Sequence, residues 1–259
     1  MPGRLPRHVL PGKLHEVTFR CHQARPLLRP SEKLNELLIG CLAMARRATG
    51  IEIVWLTAMS NHVHALVVPK THTQLSDFLC HFKGNLSKEV GRLHDYEGGI
   101  FAGVRTDVAP VTDEPEAQIA RLMYLLSQGV KEGLCPSPWS WPGVQFARTI
   151  RKGRLELGGG IWVNRTAMFH RGQAWKCRQA AISEGTHARG PRFQPRESHF
   201  RQKVSVPIAQ LPCWKEMNRK EYCQAVCELM DSVVRDHREK IDRLPTNWRR
   251  KSCVSALER

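Results

Sequence analysis

The chain has 259 residues, enough for one large domain or for a medium one with an appendage. Its 41% hydrophobic residues suffice for a core, and no stretch approaches the roughly 20 apolar residues of a membrane span, so the composition excludes a helical membrane protein. Lys and Arg total 40 against 24 Asp and Glu, a net charge of +16, and the excess is mostly arginine, whose planar guanidinium binds phosphate through two parallel hydrogen bonds. A nucleic-acid partner is the expectation, with a merely basic, arginine-rich composition as the alternative.

The opening MPGRLPRHVLPGKLHEV carries charges but no continuous apolar run, so it does not read as a signal peptide; the expected location is the cytoplasm, in association with the nucleoid. HEVTFRC (15–21) alternates and is rich in β-formers, which predicts a strand. In 31–50, Leu34, Leu37, Leu38, Cys41, Leu42 and Ala45 recur at helical spacing, and Gly50 closes the helix. Two strands follow, 51–59 and 62–68, joined by a short turn at Ser60-Asn61 and ended by Pro69. A second helix spans 73–96, with Leu75, Phe78, Leu79, Phe82, Leu86, Val90 and Leu93 as its buried stripe. Pro110 makes 104–112 an edge strand. A further helix is predicted over 115–133, opened by Pro115 and closed by Gly133.

The order β-α-β-β-α-β plus a helix predicts an α+β, ferredoxin-like fold. Both main helices cover one face of an antiparallel sheet, and the other face is left for a ligand or for the added helix. Beyond 134 the texture changes. CPSPWSWPGVQ is rich in Pro and Trp, LELGGGIWVNRTAMFHRG has a glycine run, and 178–203 is basic and turn-rich. NRKEYCQAVCELMDSVVRDHREKI is one clear amphipathic helix. The expected organisation is a domain over 1–149 and a basic, partly helical extension over 150–259. None of the nine cysteines shows CxxC spacing. Cys223 and Cys227 share a helical face, but without a second pair they read as small buried thiols rather than as a zinc site.

The stretch MSNHVHALVV (59–68) sets two histidines one residue apart. Side chains alternate along a strand, so His62 and His64 point one way while Val63 and Ala65 point to the helices. Two imidazoles roughly 7 Å apart on one face can reach a single divalent ion; a pair of polar residues on an open sheet face is the plainer reading. On the 115–133 helix, Ile119, Leu122, Met123, Leu126 and Val130 form the apolar stripe. Tyr124 and Gln128 lie off that stripe, one turn apart, with Arg121 and Lys131 on the same side. They are available to meet the sheet, or they form a solvated face with one amphipathic tyrosine. Trp139 and Trp141 either stack bases or pack the C-terminal segment onto the domain.

MSNHVHALVVP (59–69), followed by YLLSQGVKEGL (124–134), resembles the single-tyrosine HUH transposases, and among them the REP-associated tyrosine transposases. EVTFRC and NLSKEVGRLHDY resemble the family too, and the likeness covers about 10–147. It implies a palm-type ferredoxin-like fold, with His62, His64 and Gln128 as ligands of a Mg²⁺ or Mn²⁺ ion. It also implies that Tyr124 is the nucleophile, cleaving and rejoining single-stranded hairpin DNA through a 5′-phosphotyrosine. Many REP-associated members carry Asn-Pro-Val where this chain has Gln128-Gly129-Val130. Relatives often place an aromatic and paired arginines before the last strand, whereas FAGVRTDV has only Arg105. Arg20, Lys83, Arg105, Arg121 and Lys131 are the candidate phosphate contacts. Arg178, Arg189, Arg192, Arg196 and Arg201 either clamp a hairpin or lie in a solvated loop. The competing expectation is a domesticated, non-catalytic nucleic-acid-binding protein of the same fold. Such sheets usually present aromatics on the open face, where this one presents histidines. The chain is expected to act as a monomer or a homodimer, with no membrane partner.

Overall fold

The computed structural model describes residues 8–101 and 106–242. In chain order these form β1 (His15–Arg20), α1 (Glu32–Thr49), β2 (Glu52–Ala58), β3 (His62–Val68), α2 (His72–His94), β4 (Asp107–Pro110) and α3 (Pro115–Leu126). They continue with α4 (Ala147–Arg151), β5 (Glu156–Val163), α5 (Arg165–Ser183), β6 (Arg201–Pro207) and α6 (Arg219–Asp242). Both main helices start on a side-chain cap. The Leu34 amide donates to Ser31 Oγ and the Gln74 amide to Thr71 Oγ1, each satisfying a first-turn N–H that the helix itself leaves unpaired. Gly50 ends α1 in the left-handed conformation, as its position in the sequence suggests.

The main sheet runs β2-β3-β1-β4 with every neighbour antiparallel, which is the ferredoxin-like order. Alternation sends Val17, Phe19, Val63, Ala65 and Val67 to one side, where they are buried with Leu34, Leu38, Phe78 and Phe82 of α1 and α2. β4 is a four-residue edge strand paired to β1, with Pro110 opposite His15. The opposite face of the sheet is covered by α3 and by the segment around Trp141 and Phe146. Trp141 Nε1 donates to the Ala58 carbonyl at 2.9 Å, and Phe146 meets the buried Trp55 edge-on. Trp139 lies under the Arg151 guanidinium, 3.7 Å from it. Both candidate stacking tryptophans are thus used in packing.

Two expectations change. The helix predicted over 115–133 stops at Leu126. Ser127 turns its hydroxyl back onto the Tyr124 carbonyl, and Gly129 takes a positive φ of 84° that a continuing helix forbids. The extension, expected to be partly helical, also holds two strands that its glycine run did not suggest. β5 and β6 form an antiparallel pair laid on the outer side of α1, and the glycine run is its first strand. The run permits a close approach, since a Cβ on Gly160 would sit 2.7 Å from Ile39 Cγ2. Across that contact, a Cβ on Gly40 would sit 2.1 Å from the Ile161 carbonyl oxygen. Gly40→Ala is therefore expected to force β5 off α1, at a cost of about 1–3 kcal/mol read as a fall of several degrees in Tm. Gly84→Ala on α2 meets open space and should leave Tm unchanged or slightly raised.

α6 places Tyr222, Val226, Met230 and Val233 in the same buried cluster as the sheet residues. The Ala209 amide donates to the Ile53 carbonyl at 2.8 Å, and the Cys213 amide donates to Gln118 Oε1 of α3 at 3.1 Å. Cys223 and Cys227 lie on this helix with thiol pKa values raised by burial, in keeping with packing rather than metal ligation. Among the described residues no helix is long and apolar enough to cross a membrane.

Candidate active site

β3 is an inner strand, so its side chains have a strand on either flank. His64 lies opposite Thr18 of β1 and Thr57 of β2, and His62 lies opposite Arg20. The alternation that sends Val63 and Ala65 into the helical core puts both imidazoles on the other face. Their ring centroids are 4.9 Å apart with planes at 87°.

Each ring is held by its Nδ1. For His62 the partner is Asn61 Oδ1, at 2.6 Å. For His64 they are Thr18 Oγ1 at 2.9 Å and Glu16 Oε1 at 3.1 Å. An amide oxygen and a carboxylate accept, so Nδ1 is the donor in each ring and Nε2 is the nitrogen turned away from these partners. This outer arrangement is the one that orients imidazole ligands on a metal ion. Burial pushes the His62 pKa down to about 4, with the nearby His64, Arg20 and Lys131 adding to the effect, so that ring is neutral at ordinary pH. Burial resists ionisation of Glu16. The hydrogen bond from His64 and the charge of Arg121, whose Nη1 is 2.7 Å from Oε2, outweigh it and lower the Glu16 pKa.

Tyr124 comes from the last turn of α3. Its ring meets His64 edge-on at 6.0 Å between centroids, and the residue remains 42% exposed. Lys131 Nζ lies 4.1 Å from the centre of the tyrosine ring and the Arg121 guanidinium 5.8 Å from it. Gln128 follows the end of α3. It does not continue one helical turn above Tyr124, as the sequence pattern suggests, because the chain has already left the helix. It is only 3% exposed, and its Nε2 has no hydrogen-bond partner. A buried donor left unsatisfied costs about 1–3 kcal/mol; Nε2 can donate to an acceptor such as a phosphate oxygen, whereas metal ligation would fall to Oε1. On either side of it in the chain, Tyr124 meets His64 edge-on and Lys131 stands over the tyrosine ring.

Among the described residues no three His, Cys, Asp or Glu side chains converge as a metal site. Buried amides with unpaired polar atoms among the described residues are Gln128, four residues after Tyr124, and Gln145, bridged to Thr57 opposite His64. Imidazole nitrogens and an amide oxygen are donors that suit a divalent ion that also takes phosphate oxygens.

No family model matches the sequence, and no curated protein does. Among solved structures, a REP-associated tyrosine transposase bound to a REP hairpin is 16% identical, at a TM-score of 0.46, over 58% of this chain and 87% of that one. A candidate transposase from Deinococcus radiodurans is 18% identical, at a TM-score of 0.33, over 47% of this chain and 96% of that one. At such identities and scores the chemistry of the site has to be read from its own side chains.

The other candidates separate. Arg20, Arg121 and Lys131 lie on the histidine side of the sheet, and Arg121 is also tied to Glu16. Lys83 lies on the helical side, over the rings of Phe19 and Phe101 and in contact with Thr106, away from the histidines. Arg105 is outside the described residues. The sequence reading missed Glu16, Thr18 and Asn61, the partners that orient the imidazoles. Alternation within HEVTFR does put Glu16, Thr18 and Arg20 on one face. Antiparallel pairing with the histidine strand would have brought them to it.

Proposed function

We propose that this protein cleaves and rejoins single-stranded DNA, with Tyr124 as the nucleophile. The ligands would be His62, His64 and Gln128, for a Mg²⁺ or Mn²⁺ ion. The supporting observation is the meeting of Tyr124 with His64 in a pair of imidazoles on one face of the sheet whose Nδ1 atoms are both held.

The Tyr124 phenol oxygen attacks a backbone phosphorus. The bond from phosphorus to O3′ breaks, the phenol proton leaves, and O3′ departs with a proton as a free 3′-hydroxyl. The 5′ side stays on the protein as a phosphotyrosine. A second 3′-hydroxyl reverses the step, exchanging one phosphodiester for another. A divalent ion bound at the histidine pair supplies a Lewis acid for the phosphate oxygens. Lys131 and Arg121, flanking the tyrosine ring, would stabilise charge that develops on the attacked phosphate. Asn61, Thr18 and Glu16 keep the imidazoles from rotating. Tyr124 meets His64 within one chain, an arrangement that would let the reaction run in cis. The substrate would be hairpin-bearing single strands, as the sequence resemblance implies.

Incubating the protein with hairpin DNA and Mn²⁺, then resolving it under denaturing conditions, should give a covalent protein–DNA band. His62→Ala combined with His64→Ala should cut adduct formation by about a hundredfold or more and abolish Mn²⁺ binding measured by calorimetry. An unaltered rate in that double variant would remove the ions' proposed place. No band from the native protein with either ion would leave a protein that binds nucleic acid without cutting it.

A further inference from the structure

Among the described residues α5 is unlike the other long helices, because none of its 19 residues is buried. It leaves β5 on the α1 side of the molecule, and Arg165 at its start is bonded to Glu89 of α2. It therefore stands on the helical side of the sheet, away from the histidine face. The chain that follows folds back onto it. Arg178 Nη1 donates to the Ala188 carbonyl at 2.9 Å. Gly190, at φ +121°, passes so close to the Ala174 carbonyl that a Cβ would lie 2.8 Å from it.

The two segments enclose an open groove of about 780 Å³, lined among others by His170, Arg171, Arg192, Phe193, His199 and Phe200. Phe193 is 83% exposed, and no carboxylate lines the groove among the described residues. A lone exposed aromatic needs no explanation. Here aromatic rings stand in a concave wall with two imidazoles and two guanidinium groups. An apolar peptide or a lipid tail would not call for four cationic or titratable groups. A DNA duplex would not use the rings, because its bases are already stacked on each other. Unpaired bases need a ring to stack on and a cation for each phosphate between them, and the groove has room for them.

Resting on the single-stranded DNA reading above, we infer that this groove is a second binding site for single-stranded DNA, remote from Tyr124, in which a base stacks on Phe193 while Arg171 and Arg192 take the adjoining phosphates. The site holds an unpaired segment of the same substrate and contributes nothing to the cleavage step.

The full-length protein is titrated against a fluorescently labelled oligo-dT and against an abasic strand of equal length, followed by anisotropy. Phe193→Ala should weaken oligo-dT binding about five- to a hundredfold and leave the abasic strand unaffected. Arg171→Ala with Arg192→Ala should weaken both strands and flatten the dependence of log affinity on log salt by about 1.4. At saturating hairpin DNA, Phe193→Ala should still form the Tyr124 adduct at the native rate. Unchanged oligo-dT affinity in Phe193→Ala, or equal losses for the two strands, would overturn the inference. A missing adduct in the native protein bears on the cleavage reading alone, since the anisotropy difference does not need it.

Discussion

Tyr124→Phe is expected to abolish the covalent DNA adduct and to leave hairpin binding nearly intact. The substitution removes one oxygen from a side chain that is 42% exposed, so it opens no cavity and strands no buried partner. The ring that lies against His64 and beneath Lys131 stays in place. Deleting a nucleophile typically lowers a rate by about a millionfold, which on a denaturing gel is complete loss of the shifted band. Anisotropy with the same hairpin should change little, because phosphate contacts rest on cations and not on the phenol. A band of native intensity from Tyr124→Phe would place the nucleophile elsewhere. Mixing Tyr124→Phe with the His62, His64 double variant extends the test. With nucleophile and histidines acting within one chain, the mixture should stay inactive, whereas restored activity would mean that tyrosine and histidines meet across two chains.

Arg165→Ala is expected to be the most damaging single substitution for stability. Glu89 on α2 is buried, and Arg165 grips both its oxygens, with Nε donating at 3.1 Å and Nη2 at 2.8 Å. Arg92 adds a donor at 2.6 Å, but its side chain is about half exposed. Removing the partner that spans both oxygens leaves the buried charge with the half-exposed Arg92 alone and costs about 3 kcal/mol, roughly a ten-degree fall in Tm. Arg165→Lys should lose much of the same amount, because an ammonium cannot span two carboxylate oxygens in one plane. Pairing Arg165→Ala with Glu89→Leu should recover most of the loss, since the buried charge goes with its partner. Arg165 also donates to Glu197 at 2.6 Å, and that bond is the main reason the Glu197 pKa is lowered. Stability from that contact is present above the usual carboxylate range and is lost as pH falls through the lowered value. A Tm that does not move in Arg165→Ala would show that the bonds to Glu89 carry no net stability.

The first three strands and two main helices were readable because each is long, periodic and punctuated. Ser31, Gly50 and Pro69 mark ends that the structure keeps to within a residue or two. The face carrying His62 and His64 followed from alternation alone. The end of α3 did not, because Leu126 through Val130 keep a helical pattern, and only the positive φ of Gly129 breaks it. That break decides whether Gln128 stands on a helix or turns inward. β5 was hidden for a different reason: three successive glycines are poor strand formers, and the close approach of Gly160 to Ile39, and of Gly40 to Ile161, that places the strand on α1 comes from far along the chain. Nothing within 156–163 carries that information. The partners of His64 lay on a strand 46 to 48 residues earlier, at a register fixed only once the sheet is closed.

From Leu37 to Ala43, every residue of α1 is buried, because the sheet with α2 covers one side and β5 with β6 the other. This bears on how the protein is made. When the ribosome has finished β4, the main sheet and its helices can assemble, but the outer side of α1 stays uncovered until β6 emerges. The roughly one hundred residues in between take about 5–20 seconds to synthesise. For that interval each nascent chain carries an apolar stripe with its cover still unmade, so the speed of translation through the arginine-rich segment sets how long the newborn protein is vulnerable to sticking to others.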